Sequence, residues 1–130
     1  GSANPASVES IENRLHFLKM NGREIFKLAV RVMESSAREL LDKNGISIDQ
    51  IEHVIPHQAN VRIVESLSQR LGIPMNKFFC NLEKFGNTSA ASIPLAFDEG
   101  LQKGIFKKDS LGLMVAFGAG LTWSSTLVRF

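Results

Sequence analysis

Apolar residues fall at 25, 28, 29 and 32, with a second row at 26, 33, 37, 40 and 41. That spacing predicts one helix over residues 23–43 with a wide buried face, ended by Asn44-Gly45 as its carboxyl cap. A short β-rich run follows at 53–57. Residues 60–71 return to helical spacing, with Val61, Val64, Leu67 and Leu71 on one stripe closed by Gly72 and Pro74. Residues 78–81 read as a second strand, and Asn87 or Thr88 caps a third helix that runs to residue 103, where Gly104 stops it. Pro94 falls inside that helix; its missing donor and its clash with the preceding turn predict a kink. Residues 111–117 and 121–130 form two strands joined by Gly118-Ala119-Gly120, and the first is apolar almost throughout, as a strand buried on both faces is. Residues 1–19 show no sustained period and read as a loop or connection ahead of a domain at 20–130. Helices alternating with strands, then a closing antiparallel hairpin, indicate an α/β layered domain with a mixed sheet.

Composition narrows the class. With 44% hydrophobic and 22% charged residues, the 130-residue chain suits one folded domain rather than a disordered tail. A net charge of +2 is too small to argue for nucleic acid, although a local basic face could still meet an acidic protein. The single cysteine, Cys80, cannot form an internal disulfide, and no charged segment followed by an apolar one opens the chain, so a cytoplasmic protein is expected. No apolar run is long enough for a membrane span.

The chemistry lies in two strings, Pro56-His57-Gln58-Ala59-Asn60 and Gly86-Asn87-Thr88-Ser89-Ala90-Ala91-Ser92, each at a strand-to-helix junction. His57 can present an imidazole N–H and Asn87 an amide N–H. Parallel neighbouring strands would bring both to one sheet end, beside helix N-termini that also favour an anion. Such a pair can hold a developing oxyanion, as on a thioester enolate. Taken singly, each residue has a plainer reading: His57 as a satisfied core histidine, Asn87 as a helix cap.

With Phe117-Gly118-Ala119-Gly120-Leu121-Thr122-Trp123 added, residues 20–130 resemble the carboxyl-terminal half of the β-ketoacyl-acyl-carrier-protein synthase III family, which has the thiolase fold. The resemblance implies a decarboxylative Claisen condensation of an acyl-CoA starter with malonyl-acyl-carrier protein, initiating fatty-acid synthesis. His57 and Asn87 match the histidine and asparagine that donate to the malonyl thioester oxygen. Ala119 matches the residue whose backbone N–H serves the second oxyanion, where this chain has Gly-Ala-Gly rather than the commoner three glycines. Its added Cβ is harmless only if the local φ suits alanine. Gly22, Phe26, Ala59, Asn60 and Ile63 match positions lining the pantetheine tunnel, though Phe26 and Ile63 also suit ordinary core. Lys27, Arg62 and Arg70 match carrier-protein contacts, with a solvated helix face as the alternative. No metal and no cofactor are implied, since the substrates themselves carry phosphopantetheine.

The family's nucleophilic cysteine belongs to the amino-terminal half, and the full-length enzyme is implied to be a homodimer. Cys80 does not match the nucleophile and reads as a small core residue; His16 and His53 read as surface or structural. The resemblance also implies a five-stranded sheet in the order 3-2-1-4-5. On that layout the strands at 53–57 and 78–81 lie on one side of a central strand outside this chain, and the hairpin lies on the other. A slot of unpaired backbone groups is therefore expected, and with it a fragment that condenses nothing alone. Two other functions fit the same residues: a related starter enzyme of polyketide or quinolone synthesis, and a non-catalytic carrier-protein binding module. Intact His57 and Asn87 speak against the second.

Overall fold

A computed structural model describes residues 2–17 and 19–130. The long periodic segment forms helix α2 (Gly22–Lys43), and a five-residue helix α1 (Val8–Glu12) precedes it within the stretch expected to be a loop. A reciprocal cap makes α1: the Ser7 hydroxyl accepts from the Ser10 N–H, and the Ser10 hydroxyl accepts from the Ser7 N–H. Capping by two serines leaves no hydrophobic period, which is why the pattern alone did not predict it. Strand β1 (His53–Pro56) leads into α3 (Val61–Leu71), capped by the Asn60 side chain on the Arg62 N–H at 2.8 Å and ended by Gly72 in the left-handed region. Val64, Leu67 and Leu71 are buried, whereas Val61, expected on the same stripe, is exposed.

Helix α4 (Leu82–Phe85) and helix α5 (Ser92–Gln102) follow, then β2 (Leu111–Gly118) and β3 (Thr122–Arg129). The sheet order is β1-β2-β3, with β1 parallel to β2 and β2 antiparallel to β3. This corrects the expected slot. His53 to Pro56 pair directly with Gly112 to Val115, and the ladder extends to Glu52 and His57, whose N–H groups donate to Leu111 and Val115. β2 is the central strand of the three, and β1 has β2 on one side and a single bridge to Phe78 on the other.

The expected strand at 78–81 is reduced to a single bridge, Val54 to Phe78, with the Phe79 N–H on the Val54 carbonyl at 2.9 Å. The next donor in a parallel ladder would be the N–H of residue 56, and Pro56 has none. The chain then turns into α4. The expected kink at Pro94 is also absent, because α5 begins at Ser92 after a 3₁₀ turn over Ser89–Ala91. Pro94 therefore sits in the first helical turn, where the N–H it lacks would have had no intrahelical partner.

Two cores sandwich the sheet. On one face Met33, Ala37 and Leu41 of α2 and Val64, Leu67 and Leu71 of α3 pack on Val54, Leu113 and Val115. On the other, Ile55 and Met114 meet Ala96 and Phe97 of α5 with Phe79, Phe106 and Phe130. Leu113 and Met114 thus point to opposite cores, so β2 is covered on both sides as its apolar run predicts. Gly100 in α5 makes room for the second cluster: a Cβ there would lie 2.2 Å from the Phe106 ring.

Candidate functional site

His57 sits where β1 ends, its backbone N–H still held by the Val115 carbonyl at 2.8 Å. The ring's Nδ1 lies 2.6 Å from the hydroxyl of Ser92, the first residue of α5. Among the described residues Nε2 has no hydrogen-bond partner, and it is not a buried atom. Partial burial disfavours the cation and lowers the pKa of His57 below the ordinary histidine value, which favours the neutral ring.

Asn87 follows Gly86, whose φ of 68° turns the chain out of α4. Its Oδ1 accepts from the Ser89 N–H at 3.0 Å, and Ser89 itself takes a left-handed φ of 53°. With the oxygen committed to a backbone donor, the amide nitrogen is the end left to face outward. Both residues line one cavity of about 940 Å³ at the end of the sheet. Gly22, Phe26, Ala59, Asn60, Ile63 and Ala119 line the same cavity, so the structure gathers the catalytic, tunnel and oxyanion candidates into one place. No carboxylate appears among its described lining residues, which leaves a developing negative charge unopposed.

The hairpin turn accommodates alanine. Gly120, with φ 79°, and Leu121, with φ 55°, take the left-handed positions, and Ala119 does not. The Cβ that departs from the three-glycine pattern is therefore unstrained.

The three basic candidates are not brought together. Lys27 and Arg70 line a second groove of about 600 Å³, with Arg31 beside them, whereas Arg62 lies outside both cavities in the exposed first turn of α3. Lys27 pairs with Glu24 at 3.3 Å. Arg70 pairs with Glu34, which also takes Arg38 at 3.2 Å; hydrogen bonding from Arg70, then from Arg38, lowers the Glu34 pKa despite an opposing desolvation. Among the described residues, Arg62 has no ion-pair partner.

Cys80 is exposed, which corrects its expected place in the core. The protein around it still withdraws enough solvation to push the thiol up to about 11, so it stays protonated and a poor nucleophile. His16 is on the surface against Ser10, and His53 stacks edge-on against Phe106 and Phe130. Among the described residues no cluster could hold a metal ion, and no helix is long and apolar enough to cross a membrane.

Two residues of the site were missed by the reading of the sequence. Gln58 is buried at 1% exposure, with its Oε1 accepting from the Asn81 N–H at 2.8 Å, and Ser92 is buried at 3%. Neither position carries a signal in the sequence, because what sets both apart is burial and contacts between segments far apart in the chain.

Comparison with known proteins places this arrangement. The profile described as 3-oxoacyl-[acyl-carrier-protein (ACP)] synthase III C terminal matches residues 41–130. The β-ketoacyl-[acyl-carrier-protein] synthase III of Caldanaerobacter subterraneus is 48% identical over 130 residues, which is 100% of this chain and 39% of that protein. The crystal structure of 3-oxoacyl-[acyl-carrier-protein] synthase III from Aquifex aeolicus superposes with a TM-score of 0.85 at 51% identity, over 88% of this chain and 37% of that one. The priming β-ketosynthase of the R1128 polyketide pathway gives 0.80 at 35% identity, over 86% of this chain and 34% of that one. The chain thus spans about two fifths of the length of the curated relatives it matches.

Proposed function

The chain belongs to the 3-oxoacyl-acyl-carrier-protein synthase III family, and from that premise we propose that it supplies the decarboxylating half-site of a β-ketoacyl-acyl-carrier-protein synthase III. Its chemistry is the loss of carbon dioxide from a malonyl thioester. As the C–C bond to the carboxylate breaks, its electron pair passes to the α-carbon and the thioester oxygen, and that oxygen gains negative charge. The His57 Nε2–H and the Asn87 amide N–H donate to it; one preorganised donor of this kind lowers a barrier by about 3 kcal/mol. Neither donor need be charged. The α-carbon then attacks an acyl thioester on a cysteine from the amino-terminal half, and the Ala119 N–H receives the oxyanion of that tetrahedral intermediate.

The remaining roles follow from the same reading. Gly22, Phe26, Ala59, Asn60 and Ile63 enclose the pantetheine arm of acyl-CoA or of malonyl-acyl-carrier protein. Arg62, Lys27 and Arg70 meet the acidic carrier protein. The enzyme works as a homodimer in the cytoplasm without metal or cofactor. The observation that carries the proposal is that His57, at the end of β1, and Asn87, in the turn that follows α4, line one cavity with no carboxylate among its described lining residues.

The test uses the complete protein. His57→Ala and Asn87→Ala are each expected to cut malonyl decarboxylation and condensation by about a hundred-fold or more, while radiolabelled acyl-CoA still acylates the cysteine. Loss of acylation with decarboxylation intact would reverse the assignment. A starter role in a polyketide pathway is the second reading, favoured by the likeness to the R1128 priming enzyme; the starter acyl-CoA consumed fastest separates the two.

A further inference from the structure

Resting on the enolate reading above, we propose that Ser92 is a positioning residue that sets the tautomer of His57. Its hydroxyl donates to Nδ1, which leaves the ring's one proton on Nε2, where the substrate oxygen must be met.

The hydrogen-bond inventory of one buried oxygen leads to this. Ser92 begins α5 but does not cap it, since the N-cap position is Ala91 and carries no side-chain bond. Two groups approach its Oγ, the His57 Nδ1 at 2.6 Å and the Gln58 backbone nitrogen at 3.4 Å. A backbone N–H can only donate, so Oγ accepts from Gln58. The hydroxyl retains a single hydrogen of its own. Among the described residues, Nδ1 is the one acceptor within its reach. Were Nδ1 protonated, both neighbours would donate to Oγ, and the hydroxyl hydrogen would be buried with nothing to receive it. The arrangement that satisfies both the Ser92 hydroxyl and Nδ1 has the hydroxyl donating, Nδ1 accepting and Nε2 carrying the proton.

Gln58 holds the geometry from the other side. Its own side chain is pinned by the Asn81 N–H on Oε1 at 2.8 Å, so its backbone N–H is fixed against Ser92. The functional consequence is direct: Nε2–H is a donor to an enolate oxygen, whereas the opposite tautomer would face that oxygen with a lone pair.

Long-range nitrogen–proton correlation spectra of the labelled complete protein, with His57 assigned by comparison with His57→Gln, read the tautomer without recourse to activity. The parent is expected to show Nε2 protonated and Nδ1 bare. In Ser92→Ala the Nδ1–H form should appear, and malonyl decarboxylation should fall about ten- to a hundred-fold, the worth of one buried hydrogen bond. Ser92→Thr, which keeps the hydroxyl, should restore both. A parent already in the Nδ1–H form overturns the proposal whether or not any variant folds, and so does Ser92→Ala that keeps the Nε2–H form with undiminished decarboxylation. If the tautomer shifts in Ser92→Ala but the parent decarboxylates no malonyl thioester, the role of Ser92 is supported and the enolate reading is the one that falls.

Discussion

His53 sits in a nest of phenylalanines, its ring 5.2 Å from that of Phe106 and 5.8 Å from that of Phe130, with Nε2 buried and unpartnered. Burial is the main reason its pKa falls below 6.5; Lys107 and Lys77 lower it further against an opposing pull from Glu52. A lowered histidine pKa means that, as pH drops below 6.5, the unfolded chain binds a proton before the folded one does. Stability is therefore full above that value and is lost as pH falls toward the folded-state pKa. His57 acts in the same direction. His53→Phe should keep the aromatic packing and remove one of the two contributions, so the drop in melting temperature between pH 7.5 and 5.5 should shrink relative to the parent; an unchanged drop would assign the acid lability to His57 alone. At this scale the sequence was informative where chemistry was carried by a string. His57 and Asn87 stood out within Pro56-His57-Gln58-Ala59-Asn60 and Gly86-Asn87-Thr88. Gln58 and Ser92 did not, because their importance arises from burial against each other and against Asn81, and no period or spacing within either string encodes that contact.

Elements were legible wherever a local rule had no competitor. Helices α2 and α3 follow from their apolar rows and their Asn-Gly and Gly-Pro endings, and β2 from its unbroken apolar run. Two of the misreadings share a cause in proline, whose effect depends on the pairing or helical position around it. Pro94 looked like a kink and became a first-turn residue. Pro56 lay inside the expected strand at 53–57, and its missing N–H stopped the neighbouring ladder after one bridge. A cleaner local rule gives a prediction. Gly72 ends α3 at φ 74°, and a Cβ there would meet nothing within 4 Å. Gly72→Ala in the complete protein should thus cost only the left-handed strain, about 1 kcal/mol, and Gly72→Asn less, since asparagine tolerates that region. Thermal unfolding measures both; equal losses for the two variants would mean that something other than backbone strain is at work.

For the whole molecule, the α/β layering and the gathering of the site at one sheet end were foreseeable, but the position of the central strand was not. Alternation of elements says which strands exist and leaves open which pairs touch; direct pairing of β1 with β2 removes the slot that had been expected between them. Apolar side chains also remain uncovered. Val8, Ile11, Leu15 and Phe17 are each at least 60% exposed, Leu121 and Trp123 are each 51% exposed beside the cavity, and Leu95 and Leu101 of α5 also face outward. Large apolar side chains exposed in such number favour association with a partner. The 130 residues produced alone are therefore expected to self-associate at low micromolar concentration, giving a sedimentation-equilibrium mass above that of the 14.3 kDa monomer. Amide exchange should remain slow through β2, which is paired on both sides, and faster along the edge strand β3. Slow exchange in β2 within a strictly monomeric, non-aggregating chain would show that the exposed apolar side chains are tolerated singly; rapid exchange in β2 would overturn its place between β1 and β3.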